Sequence, residues 1–302
     1  MSEPSVSVVI TTYNRCELVG DAIESVLAQT YSDFELFVVD DASTDDTQAV
    51  VESHDDNRLT YVRHETNRHL SAARNTGIKR ANGKYIAFLD DDDEWVETKL
   101  ERQIKRFEAA SEQVGLVYCW MDYYEGDEVI EEYHPTLRGD IYPTTLGRQP
   151  LSNGSTWLVR AEVFDGVGGF DEDIRRGVDG DFVRRVCREY HVDVVPEVLT
   201  IYNVGHDSRR ITGEDEDSIR AAIEGQQTKF RKFGSSFEQY PTQEAIVRAK
   251  IGWRRTQLGE WRNGIAEFDQ AIRLAPTCPT VYYYVGVTVF HALKRLISSQ
   301  SS

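Results

Sequence analysis

Two hydrophobic rhythms alternate through the N-terminal third of the chain. Residues 6–11, 34–39, 59–63 and 85–89 are short runs rich in β-branched and aromatic side chains, which predict strands. Between them, residues 18–29, 47–54 and 71–81 carry apolar positions at helical spacing, the last closed by Gly83. Strands alternating with helices predict βαβ units and a parallel sheet, so the fold class is α/β. The strand ends are polar: residues 40–46 form a turn rich in Asp, Ser and Thr, with Asp45 and Asp46 suited to the N-terminus of the next helix, and residues 85–89 run into Asp90, Asp91, Asp92 and Asp93. Open α/β sheets bind ligands beyond the carboxyl ends of their strands, so these ends are the places to look for chemistry.

The pattern changes twice further on. Residues 114–120, 156–159 and 192–195 predict strands and residues 179–189 a helix, a mixed region expected to complete a first domain over residues 1–240, with halves 1–113 and 114–240. From about Pro241 the texture is helical, with stretches at 245–258 and 263–274 around Gly259, Glu260 and Trp261. The spacing of Gly252, Gly259, Trp261, Gly264, Phe268, Ala271 and Pro276 resembles one tetratricopeptide repeat. A lone repeat cannot bury its own faces, so residues 241–302 are expected to form a helical hairpin packed on the larger domain, with an independent peptide-binding repeat as the alternative. Residues 281–293 are largely apolar and aromatic and are followed by Lys294 and Arg295. That stretch is too short to cross a bilayer; either residues 281–297 lie in a membrane interface, with Tyr282, Tyr283 and Tyr284 at headgroup level, or they form a buried terminal helix.

Charge narrows the function. A formal net charge of −17 over 302 residues argues against nucleic-acid binding, which needs clustered Lys and Arg. The acids are spread along the chain and Arg outnumbers Lys, a balance that resembles proteins of salt-loving archaea, whose surfaces stay solvated where charge is heavily screened; an ordinary acidic cytosolic protein is the alternative. Cys16, Cys119, Cys187 and Cys278 form no C-x-x-C pair and read as reduced core residues. The first strand begins too early for a cleavable signal peptide, so the cytoplasm is the expected location.

Four aspartates at a strand end offer hard oxygen ligands suited to Mg2+ or Mn2+, or else form a solvated turn. The context is more specific. Val8-Val9-Ile10-Thr11-Thr12-Tyr13-Asn14-Arg15, Ser25-Val26-Leu27-Ala28-Gln29-Thr30-Tyr31, Val38-Val39-Asp40-Asp41-Ala42-Ser43-Thr44-Asp45, Ala73-Arg74-Asn75-Thr76-Gly77 and the aspartate run occur in order over most of residues 5–105. Together they resemble the opening of the family 2 glycosyltransferases. The resemblance implies a GT-A fold, a small C-terminal helical extension, and an inverting, metal-dependent transfer of one sugar from a nucleotide donor to a hydroxyl.

Carried over position by position, the resemblance implies that Thr11 and Tyr13 contact the uridine, the tyrosine ring stacking on the base, and that Asp41 accepts from the base N–H while Asp40 orients the turn. It implies that Arg74 faces the diphosphate, that Asp90 and Asp92 are the outer positions of a D-x-D element with Asp92 the direct metal ligand, and that Asp91 contacts the ribose. The catalytic base is expected at Asp179, after Gly168-Gly169-Phe170-Asp171-Glu172, with Val178 where the family carries Glu; Asp181 is the alternative base or a helix cap. His206 is a further candidate for the metal or diphosphate. No Gln-x-x-Arg-Trp element is present, which favours transfer of a single sugar over processive synthesis. Similarity to haloarchaeal protein-glycosylation enzymes implies a UDP-sugar donor, a hexuronic acid such as glucuronate among the candidates, and a glycan acceptor on a dolichol or polyprenyl phosphate. The rival expectation is a non-catalytic scaffold of the same fold in a glycan-assembly complex.

Overall fold

The computed structural model of the protein describes residues 4–204 and 215–300. The expected alternation is present: β1 (Val6–Thr12), α1 (Val19–Leu27), β2 (Phe34–Asp40), α2 (Thr47–Glu52), β3 (Leu59–Arg63), α3 (His69–Ile78) and β4 (Tyr85–Asp90). The mixed region is richer than expected. It holds β5 (Asp93–Trp95), α4 (Lys99–Ala109), β6 (Val114–Glu125), β7 (Glu128–Tyr133), α5 (Tyr142–Gly147), β8 (Trp157–Arg160), α6 (Ala161–Val167), α7 (Val178–Glu189) and β9 (His191–Asn203). Four helices follow, α8 (Glu216–Gln239), α9 (Pro241–Gln257), α10 (Trp261–Leu274) and α11 (Pro279–Gln300).

The described chain divides into two compact units, one of residues 4–142, 150–174 and 178–204 and one of residues 143–149, 175–177 and 215–300. The first is built on a nine-stranded mixed sheet in the order β3-β2-β1-β4-β8-β6-β9-β5, with β7 hairpinned onto β6. Strands β1, β2, β3 and β4 are parallel; β8 runs against both β4 and β6, and β9 runs with β6. The carboxyl ends of β1, β2, β4, β6 and β9 therefore line one edge of the sheet. Register there sets Thr11 beside Asp90 and Thr12 beside Asp40.

The strands read as unbroken apolar runs because both faces are covered. Val8, Ile10, Val38 and Leu89 pack with Leu100 and Phe107 of α4 on one side, while Val9, Val39 and Phe88 pack with Trp157 and Phe182 on the other. Strand β9 passes the expected end at 195 because Pro196, which has no N–H to donate, sits where the register jumps from Cys119↔Val195 to Trp120↔Val198. Three of the four free cysteines are buried as expected, whereas Cys16 is only half-buried.

In the second unit the boundary expected at residue 240 falls between α8 and α9, which pack together through Phe230 and Arg248, so the helical part begins ahead of it. Helices α9 and α10 form the expected hairpin. They approach so closely at Gly252 that a Cβ there would lie 2.9 Å from the Gly264 carbonyl oxygen and 3.2 Å from the Phe268 ring. Helix α11 closes the hairpin through Val281 and a Trp253–Tyr284 ring contact at 5.6 Å. Among the described residues no helix is long and apolar enough to cross a membrane.

Candidate active site

Thr11 at the end of β1 is buried beside the D-x-D strand, and Tyr13, two residues on, is 44% exposed. The loops after β1 and β2 are sewn together at Asn14, whose backbone takes a left-handed conformation, a geometry asparagine tolerates. Its N–H donates to Ser43 Oγ at 2.8 Å and its side-chain oxygen accepts from the Thr44 N–H at 2.7 Å.

Asp40 orients the turn as expected: Oδ1 accepts from the Ser43 N–H at 2.8 Å and Oδ2 from the Tyr61 hydroxyl at 2.6 Å. Asp41 is more heavily engaged than a base contact would require. Its carboxylate accepts from the backbone N–H groups of Arg68 and His69, at 2.8 and 2.6 Å, and lies 2.6 Å from His64 Nδ1. It therefore anchors the segment entering α3, and His64, 2.9 Å from Thr76 Oγ1 through Nε2, joins the site unforeseen.

Helix α3 brings in the central cation. Arg74 is almost completely buried, stacked over the Phe170 ring at 5.0 Å, and donates to Asp179 Oδ1 at 2.5 Å and to Asp90 Oδ1 at 2.7 Å. The family resemblance places Arg74 at the diphosphate; here its guanidinium bridges the first D-x-D carboxylate and the expected base. Gly154 makes room for it, since a Cβ there would lie 3.0 Å from Arg74 Nη2. The neighbouring Asn75 accepts from the Phe170 N–H and donates to the Phe170 carbonyl, each at 2.8 Å, which fixes the Gly-Phe-Asp-Glu segment against α3. Asp179 lies in the first turn of α7 with about a quarter of its side chain open to solvent.

The alternative base, Asp181, is buried and paired with Arg185 at 2.9 Å. Arg185 in turn donates to the carbonyls of Val167 and Gly169, so Asp181 steadies the loop ahead of the helix.

The aspartate run is crowded. Arg15, which sequence reasoning left without a role, donates to Asp91 Oδ1 at 3.1 Å and Asp92 Oδ2 at 2.5 Å. Its place in the motif, directly after Asn14, was the available signal. Asp93, the first residue of β5, is buried and accepts from Ser155 Oγ and Asn153 Nδ2, a structural tie, while its Oδ1 has no protein partner. Burial, opposed by Arg74 and reinforced by Asp179 and Asp92, raises the Asp90 carboxyl above its ordinary range. Burial, opposed by Arg15, pushes Asp91 up to about 7, and burial with the charges of Asp90 and Asp92 raises Asp93 well above normal.

Carboxylates this crowded favour a further cation. Among the described residues no three His, Cys, Asp or Glu side chains gather as metal ligands. The donors present, Asp92 and Asp90, fit a hard cation that takes one or two carboxylates from the protein and completes its sphere with phosphate and water. His206 lies outside the described residues.

Residues 7–167 match the family model described as glycosyl transferase family 2. An uncharacterized glycosyltransferase of Rickettsia conorii is 35% identical over 188 residues, which take 59% of this chain and 29% of that protein. An Escherichia coli UDP-Glc:α-D-GlcNAc-diphosphoundecaprenol β-1,3-glucosyltransferase is 40% identical over 126 residues, 41% of this chain and 49% of that protein. The chain thus spans less than half the length of these curated relatives. Among solved structures, the mannosyltransferase of Pyrobaculum calidifontis in complex with GDP-Man and Mn2+ superposes with a TM-score of 0.61 at 20% identity, covering all of this chain and 84% of that one. The likeness is one of fold: an α/β domain of the GT-A kind followed by C-terminal helices.

Proposed function

The chain belongs to glycosyl transferase family 2, and from that membership and the geometry of its acidic sheet edge we propose an inverting transferase that moves one sugar from a UDP-sugar to a glycan hydroxyl. The observation that carries the reading is the double ion pair of Arg74, which holds a D-x-D carboxylate and a solvent-open carboxylate on α7 to one guanidinium. A carboxylate fixed next to the donor site is what deprotonation of an attacking hydroxyl requires. Asp179 takes that proton as the hydroxyl oxygen bonds to the anomeric carbon on the face opposite the nucleotide, and the bond to the diphosphate breaks. A single in-line displacement inverts the anomeric configuration.

The donor side is read from the same edge. Tyr13 is exposed and would stack on the base, and Thr11, Asp41 and Asp91 are the residues we assign to the rest of the nucleoside. Asp92 and Asp90 would hold a Mg2+ or Mn2+, which when bound would neutralise charge on the departing diphosphate. Arg15, paired with Asp91 and Asp92, would compensate charge as the diphosphate arrives. The acceptor is a glycan on a polyprenyl or dolichol phosphate carrier, a reading supported by the E. coli relative, whose name specifies a diphosphoundecaprenol acceptor. Glucose and glucuronate are the first donor sugars to compare.

The test is a thermal-shift panel in high salt with UDP, GDP and UDP-sugars, with and without Mn2+, on wild type and Asp92→Ala. A ligand at about 100 times its Kd adds about 2.7 kcal/mol of stability, which a melting curve resolves. A metal-dependent rise confined to uridine nucleotides and lost in the variant supports the reading; no rise with any nucleotide defeats it.

A further inference from the structure

Helix α11 has two unlike sides. Val281, Tyr284, Val285 and Thr288 face α9 and α10 and are buried or half-buried. A helix turns about 100° per residue, so Tyr282, Tyr283, Gly286, Val289, Phe290 and Leu293 fall together on the opposite side as a stripe roughly 120° wide. All six are exposed, Tyr283 and Phe290 at 64% and Leu293 at 53%. Large apolar side chains ordinarily scatter singly over a surface, and a contiguous stripe of them marks something that covers it.

Charge selects the occupant. The protein has 51 Asp and Glu among 302 residues, yet none follows Asp269, and residues 270–302 carry only Arg273, Lys294 and Arg295 as charged groups. By helical periodicity Lys294 borders the apolar stripe. An acid-free, aromatic-rich helix with a basic end, in a protein of net charge −17, complements an anionic lipid surface, where a stripe of this width sinks into the headgroup boundary and tyrosines sit at its polar level. With no span long enough to cross the bilayer among the described residues, the helix would lie along it. We propose that the exposed face of α11 docks the protein onto an anionic membrane surface. The inference rests on the lipid-carried acceptor proposed above, which would be met at that surface.

The experiment is flotation of the full chain with vesicles of phosphatidylcholine alone and of phosphatidylcholine with phosphatidylglycerol, at low and at molar salt. The proteins compared are wild type, Phe290→Asp with Leu293→Asp, Tyr283→Ser with Val289→Asn, and Lys294→Gln with Arg295→Gln. The altered positions from 283 to 293 are exposed, so Tm is expected to hold. Wild type should float with the anionic vesicles, about tenfold more weakly once either apolar pair is replaced or the basic pair is neutralised. Equal binding to both vesicle types, or binding untouched by the apolar replacements, overturns the proposal. So does a wild-type dimer that these replacements dissociate in sedimentation without any vesicle binding, which would make a second copy the occupant. Transfer to a water-soluble glycan is assayed in parallel: vesicle binding without transfer counts against the catalytic reading alone, and transfer without vesicle binding counts against the docking face alone.

Discussion

Arg74 and Asp179, 105 residues apart in the chain, meet in an ion pair of 2.5 Å, with the guanidinium almost completely buried and its second nitrogen on Asp90. A planar fork serves both carboxylates at once; the single ammonium of a lysine cannot reproduce that geometry. Arg74→Lys is therefore expected to lower kcat by about thirtyfold, roughly 2 kcal/mol of transition-state stabilisation, while the KM for the donor changes less. Equal losses in nucleotide affinity and kcat would instead favour the diphosphate contact that the family resemblance implies for Arg74.

Asp92 and Asp181 should separate chemistry from scaffold. Asp92→Ala removes the D-x-D carboxylate that pairs with Arg15, and the Mn2+-dependent rise in Tm with UDP should vanish with little change in baseline stability. Asp181→Asn should do the reverse. It weakens the buried pair with Arg185 and costs about 1–3 kcal/mol of stability, read as a lower baseline Tm, yet leaves the nucleotide-induced rise in place.

The doubly wound half was legible because its strands are buried on both faces and its motifs stand at strand ends, where period and polarity change within a residue or two. Much of the remainder was hidden by competing signals. Helix α4 buries Leu100, Ile104 and Phe107, but the charged residues around them masked the stripe, and its Lys99 and Gln103 are buried polar groups that no pattern flags. Pro196 hid the second half of β9 because the bulge that tolerates it is a tertiary feature. The candidate acids were readable from motif order alone, since order along the chain is what a motif records. Their partners were not: Arg74 reaches Asp179 only because β4, α3 and α7 are brought together, and Asp41 meets the N–H groups of Arg68 and His69 only once the entry to α3 has folded over it.

Asp41 anchors a strained approach to α3, for His69, whose N–H it receives at 2.6 Å, has a backbone φ of 68°. Non-glycine residues in that region cost on the order of 1–3 kcal/mol and persist only when their surroundings hold them. Asp41→Ala strips acceptors from the Arg68 and His69 N–H groups and from the His64 ring together, and should reduce the free energy of unfolding in urea by about 2–3 kcal/mol. Unchanged stability with lost UDP binding would instead make Asp41 purely a base contact.

Lys99 gives the fold a pH signature apart from the acidic edge. Its side chain is fully buried, with Nζ donating to Gln103 Oε1 at 2.8 Å and lying 3.8 Å from the Trp95 ring centroid. Burial draws its pKa down from 10.5 to about 8. Below about pH 8 both folded and unfolded chains carry the proton, and the folded state bears the cost of a desolvated charge. Between about 8 and 10.5 the unfolded chain keeps a proton that the folded chain has shed, so this group makes stability rise with pH, by about 1.4 kcal/mol per unit at most. The buried thiols of Cys119 and Cys187, whose pKa values are raised by burial, oppose the trend at high pH, so the informative quantity is a difference between two proteins. Lys99→Met fills similar volume without a charge and leaves Gln103 Oε1 lacking one donor, an offset of about 1 kcal/mol that does not vary with pH. The stability gap between wild type and Lys99→Met, measured by urea unfolding at steps from neutral to alkaline pH, should shift steadily in favour of wild type once pH passes about 8. A gap that stays constant across that range would mean that Lys99 keeps its proton in the folded state, held by Trp95 and Gln103 strongly enough to outweigh its burial.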